Sequence, residues 1–171
     1  MSTRRPQHQR RRAARQPFAG AGHDHARCVR EALDAAERLC RDRGERLTAL
    51  RRRVLELIWN SHRPVGAYEL LDMLRGERGR VAPPTVYRAL DFLQAQGLVH
   101  RVESLNAFKG CEQPEAPHQA HLLICRRCGL AAEVADDGLD GAIAALARRS
   151  TFEVEAETVE LTGLCADCRG G

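Results

Sequence analysis

The chain has 171 residues, 43% of them hydrophobic, a net charge of +4 and seven cysteines. That length suits one large domain or two small ones. No apolar run reaches the ~20 residues of a membrane-spanning helix and the N-terminus does not read as a signal peptide, so the expectation is a cytoplasmic protein with reduced thiols, no membrane partner, and cysteine clusters that hold metal rather than form disulfides.

Charge is graded along the chain. Residues 1–27 hold seven Arg against one Asp, a net of +6, whereas residues 28–104 net +3 and residues 105–171 net −5. A basic first half predicts an approach to phosphate. Residues 1–27, dominated by Arg, Gln, Gly and Ala, read as a disordered Arg-rich arm.

From Val29 the spacing turns helical. Val29, Ala32, Leu33, Ala36, Leu39 and Cys40 make one apolar stripe, and Gly44 ends it. A second helix opens at Leu47-Thr48 with Thr48 as N-cap, and carries Leu50, Val54, Leu55, Ile58 and Trp59 on its apolar face. A third runs from Ala67 to Arg75, followed by a polar loop over 76–82. Pro83-Pro84 starts a fourth, since Pro suits a first helical turn, and Gly97 ends it. Val86, Leu90 and Leu93 turn inward, which leaves Thr85, Tyr87 and Arg88 mainly outward. Residues 97–102 alternate like a strand, Asn106 supplies a turn, and Ala107-Phe108 returns.

Helices two to four plus this hairpin predict a winged helix-turn-helix DNA-binding domain over residues 28–105. Such a fold places the N-terminal half of its recognition helix in the major groove. Arg there bridges a guanine edge or clamps phosphate, and a Tyr hydroxyl reaches phosphate. Thr85, Tyr87 and Arg88 are the expected DNA contacts, the partner being double-stranded DNA.

Residues 106–171 read as a small α/β unit. A Pro- and Glu-containing loop spans Cys111 to His118, a strand spans 120–125, and its hairpin partner spans 130–134. Asp136-Asp137 caps a helix lined by Leu139, Ile143 and Leu146, and residues 152–164 alternate as one long strand. Both outer strands end on a Cys-x-x-Cys knuckle: Cys125-Arg126-Arg127-Cys128 and Cys165-Ala166-Asp167-Cys168, with 36 residues between them. Each knuckle offers half of a tetrahedral shell, and together Cys125, Cys128, Cys165 and Cys168 make the four-thiolate set of a structural Zn²⁺. The competing reading is a pair of redox-active dithiols. The fold class is therefore α+β: an N-terminal winged helix-turn-helix, then a small α/β unit stapled by zinc.

Several segments together resemble the ferric uptake regulator (Fur) superfamily. They are Arg46-Leu47-Thr48, Ala67-Tyr68-Glu69-Leu70-Leu71, Pro84-Thr85-Val86-Tyr87-Arg88-Ala89-Leu90 and the two knuckles in this order. The block 83–93 followed by Gly97-Leu98-Val99-His100-Arg101-Val102-Glu103-Ser104 is similar to its zinc uptake regulator (Zur) branch. The resemblance covers roughly residues 30–168. It implies a homodimeric repressor whose residues 106–171 form the dimerisation domain, and which binds operator DNA when zinc-loaded and controls zinc-uptake genes. It also implies a second, regulatory zinc at the hinge, held by His100, Cys111, His118 and Glu133, and so two zinc ions per chain. His121 competes with His118 for that place. A soft thiolate among the ligands disfavours Fe²⁺, Mn²⁺ and Mg²⁺; the alternative is an iron-, manganese- or peroxide-sensing regulator of the same superfamily. A zinc hydrolase is disfavoured, because a catalytic zinc keeps an open position and this set fills four. No catalytic residues are expected. A third reading is a redox switch that loses its structural zinc when the thiols oxidise.

Overall fold

The computed structural model describes Phe18 and residues 24–115 and 120–170. His118 and most of the Arg-rich arm lie outside the described residues. Helix α1 spans His25–Asp42, because the Asp24 side chain caps it by accepting from Arg27 N at 3.0 Å. Residues 25–27 are thus its first turn and not part of an arm. Helix α2 spans Ala49–Trp59, with Thr48 accepting from Arg51 N as its cap. A two-residue strand β1, Val65–Gly66, leads into α3, Ala67–Arg78. Helix α3 outruns its expected end at Arg75. Gly76 sits inside it, a tolerated cost of about 1 kcal/mol against Ala, and Gly79 at φ 77° stops the helix instead. Helix α4 spans Pro83–Ala95.

The wing follows as β2 (Val99–Val102), a 3₁₀ turn (Glu103–Leu105) and β3 (Ala107–Gly110), with Asn106 turning the chain at φ 46°. These strands form an antiparallel sheet in the order β1-β3-β2. Its inner side closes a core with α1 to α4 that includes Val54, Ile58, Leu70, Leu74, Leu90, Leu93 and Phe108. Gly110 is required by that closure, since a Cβ there would lie 2.5 Å from the Trp59 indole.

The second sheet holds β4 (His121–Cys125), β5 (Ala131–Val134) and β6 (Val159–Gly163) in the order β5-β4-β6. Helix α5, Asp137–Arg149, connects β5 to β6 and is capped by Asp136, which accepts from Leu139 N. A short helix α6, Ala166–Arg169, follows β6. Strand β6 runs parallel to β4, with Leu123 opposite Leu161 and Cys125 opposite Gly163. The expected strand over 152–164 is therefore much shorter. Pairing with β4 begins where His121 meets Val159, and residues 152–158 have no strand beside them among the described residues.

Among the described residues, this second half has one small buried apolar cluster. Its apolar cluster is Val102, Leu122, Ile124 and Ala131, and Val102 comes from β2 of the wing. Strand β2 and the turn after it thus lie across all three strands of the second sheet. His100 reaches Glu133 on β5, Val102 packs with residues of β4, and the backbone of Glu103 and Ser104 reaches Glu160 on β6.

Candidate metal centres and nucleic-acid face

The knuckles sit at the C-terminal ends of the parallel pair β4 and β6. The first turn closes because Gly129 takes φ 74° and its N–H donates to Cys125 O at 2.8 Å. Cys125, Cys128, Cys165 and Cys168 come together with their sulfurs within 4.8 Å of one another. Cys128 Sγ and Cys165 Sγ are 3.9 Å apart, close to the edge of about 3.8 Å that a tetrahedron with Zn–S near 2.3 Å demands. The donor set and spacing fit a structural zinc held by four thiolates. Backbone N–H groups of Cys128 and Cys165 directed at Cys125 hold its thiol down at about 6, while the side-chain hydrogen bond with Cys165, and then burial, push the Cys168 thiol up to about 12, so the four thiols share their protons unevenly. Arg127 donates to Cys168 O at 2.8 Å and ties the two knuckles further.

A second group forms where β2, the end of β3 and β5 converge. His100, Cys111 and Glu133 bring one ligand atom each within 4.8 Å of the others. His100 Nε2 is 3.3 Å from Glu133 Oε2, and that same oxygen accepts from Glu112 N at 3.1 Å. Burial pushes the Cys111 thiol up to about 12, and the Glu133 charge adds to it. Burial alone would raise Glu133 too, but the His100 hydrogen bond and the Glu112 N–H outweigh it and hold the carboxyl at about 2. One thiol, one imidazole and one carboxylate thus come together where the two sheets meet. They suit zinc as ligands.

His121 goes elsewhere. It is buried, its Nε2 lies 2.8 Å from Asp140 Oδ1, and Glu157 completes that group within 4.8 Å. Glu157 Oε1 is buried without a hydrogen-bond partner among the described residues. His121 therefore faces α5 and not the hinge.

On α4, Thr85, Tyr87 and Arg88 are exposed while Val86, Ala89, Leu90 and Leu93 are buried. A crevice beside them is lined by Thr48, Leu50, Arg51, Thr85, Arg88 and Ala89. Arg51 stacks 3.5 Å from the Phe92 ring centroid and donates to Arg46 O at 2.7 Å, so a second cation is fixed next to the helix. Arg51 lies in the first turn of α2, in the run Arg51-Arg52-Arg53, and nothing in that run alone singles it out for this face. Its neighbours Phe92 and Arg46 are the signal that fixes it.

The ferric uptake regulator family model matches residues 42–162, which contain the winged helix, the hinge group and the first knuckle. The chain belongs to the ferric uptake regulator family. Members of this family are regulators, not enzymes. The zinc uptake regulation protein of Escherichia coli (strain K12) is 41% identical over 141 residues, covering 82% of each chain. A solved zinc uptake regulator complexed with zinc and DNA is 40% identical and covers 83% of this chain and 95% of its own, with a TM-score of 0.79. The holo form of XcZur is 47% identical, covers 82% of this chain and 99% of its own, and matches at a TM-score of 0.76. The apo form of XcZur, 46% identical and covering 84% of this chain and 99% of its own, matches at only 0.51. Sequence likeness is the same in the two forms, so the difference is one of conformation. This regulator superposes better on the holo form.

No helix among the described residues is long and apolar enough to cross a membrane.

Proposed function

We propose that this chain is a zinc-responsive transcriptional repressor that binds operator DNA as a zinc-loaded homodimer and controls zinc-uptake genes in the cytoplasm. The observation that carries the proposal is the group His100, Cys111 and Glu133, whose members come from both sheets. Zinc bound there supplies one point that ligands from the wing and from β5 share. With His118 as the fourth ligand, the set ties β2 to β5 and holds the wing at a fixed angle to the second sheet. The thiolate favours zinc over iron or manganese. Cys125, Cys128, Cys165 and Cys168 hold a structural zinc, which gives two zinc ions per chain.

The relatives support this reading, since one is named for zinc uptake regulation and another was solved with zinc and DNA. The chain superposes better on the relative solved with zinc and DNA and on the holo form than on the apo form, which supports the metal-bound arrangement as the one that binds DNA. Thr85, Tyr87 and Arg88 meet the major groove. The second half supports a C2 dimer: Leu146 is 56% exposed, Phe152 68% and Leu161 55%, large apolar side chains that a second copy would cover.

The test uses protein with the four-thiolate site filled and a duplex selected by the protein from a random library in the presence of zinc. Affinity for that duplex is measured at controlled free zinc. A steep gain with zinc is expected; affinity indifferent to zinc removes the repressor reading.

A further inference from the structure

The 3₁₀ turn of the wing, Glu103–Leu105, has no cap from its own neighbourhood, since Val102 precedes it without a side-chain hydrogen bond. The first N–H groups of any helical turn lack intrahelical acceptors. Here they are satisfied from the other sheet. Glu160 on β6 accepts from Glu103 N at 2.6 Å with one carboxylate oxygen and from Ser104 N at 3.0 Å with the other. Two successive peptide groups of the wing are thus gripped by one carboxylate across a separation of more than fifty residues in sequence.

Placement gives this grip its leverage. Glu160 lies opposite Leu122 in the parallel pair, and Leu122 packs in the same cluster as Val102. Strands β5 and β6 flank β4, about 10 Å apart at the usual strand spacing. Ligation at His100 and Glu133 fixes the β5 side alone. A contact on that side leaves the wing free to pivot about it, and the buried Val102 contact is non-directional. The bonds from Glu160 are directional and stand on the opposite side.

We infer that Glu160 is a positioning residue for DNA binding, a metal-independent second anchor that holds the wing on β6 and sets the angle at which the hinge ligands meet. This rests on the repressor reading for its effect on DNA, but not for its effect on the arrangement of the two sheets. Charge-assisted hydrogen bonds of this kind are worth on the order of tenfold in an equilibrium each.

The experiment compares wild type with Glu160→Ala and Glu160→Gln, each with the four-thiolate site loaded. Amide hydrogen exchange reads Glu103 and Ser104, small-angle scattering reads domain separation without hinge zinc, and anisotropy reads zinc-dependent affinity for the selected duplex. In Glu160→Ala, the two amides are expected to lose protection, the particle to expand, and hinge-zinc and duplex affinities both to fall on the order of tenfold. Glu160→Gln keeps one acceptor and falls between. Should Glu160→Ala not retain its structural zinc, Glu160→Gln carries the comparison. Unchanged scattering and unchanged zinc affinity in the variant that keeps its fold overturn the inference. If wild type itself binds the duplex regardless of zinc, the repressor reading fails, and scattering still decides the anchor.

Discussion

Glu133 holds two partners from the other side of the hinge: its Oε2 lies 3.3 Å from His100 Nε2 and 3.1 Å from Glu112 N. The carboxylate therefore joins the two sides of the hinge through hydrogen bonds of its own. Removing the thiol beside it tests whether closure needs the metal. Cys111→Ser is expected to lower hinge-zinc affinity by more than the roughly 10–100-fold that loss of an outer-shell partner produces, and to flatten the zinc response of DNA binding. Competition against a chromophoric chelator measures the first quantity. A normal zinc response in this variant would take Cys111 out of the site.

Proton release follows from the same group. The Cys111 thiol, pushed up to about 12 by burial and then by Glu133, is protonated at neutral pH, whereas Glu133 at about 2 is already charged. A thiol must lose its proton to ligate. Zinc binding at the hinge is thus expected to release one proton from Cys111 and to strengthen about tenfold per unit rise in pH while that thiol stays protonated. Calorimetry in two buffers of different ionisation enthalpy counts the protons. A count of zero at the hinge contradicts ligation by Cys111.

Among the described residues, the apolar core of the second half is one cluster of four residues, one borrowed from the wing. So thin a core needs a staple. Cys128→Ser is expected to strip exchange protection from β4 and β6 while α2 and α4 keep theirs. Equal protection in both halves would mean that the thiolates do not hold this sheet together.

Metal analysis of wild type is expected to give two zinc per chain, and Cys111→Ser one. A third equivalent that disappears in His121→Ala would add the His121, Asp140 and Glu157 group to the count and revise the stoichiometry.

Arg88→Ala is expected to cost about 1–3 kcal/mol of operator affinity if Arg88 reads a base, with relaxed specificity at one position, or to reduce the salt slope by about one if it holds phosphate. Anisotropy over a salt series separates the two. Binding equal to wild type at every salt concentration removes Arg88 from the interface.

Gly110→Ala places a methyl 2.5 Å from Trp59. The indole must move, and overpacking of this kind costs about 1–3 kcal/mol. Because Gly110 adjoins Cys111, thermal melting should drop and hinge-zinc affinity should weaken together. A variant as stable as wild type would show that Trp59 yields easily.

What the sequence made legible was local. The Thr48 cap, the apolar face of α4 and the two knuckles each depend on residues a few positions apart, and their spacing is visible without a fold. The hinge group is visible in the sequence only through family resemblance, since His100, Cys111 and Glu133 lie on three segments that only folding brings together. Alternation over 152–164 predicts a longer strand than forms, because alternation records a pattern of side chains, not the presence of a neighbour to bond with. The pairing of His121 with Asp140, and of Glu160 with the wing, left no periodic trace at all.

The parallel register of β4 and β6 gives the cysteines a further consequence. Side chains alternate faces along a strand, so a slip of one residue would turn Glu160 away and offer the wing Val159 or Leu161 instead. The knuckles end both strands at the same edge and forbid that slip. The thiolate quartet thus acts as a ruler for a contact it never touches: it decides which side chain of β6 the wing will find.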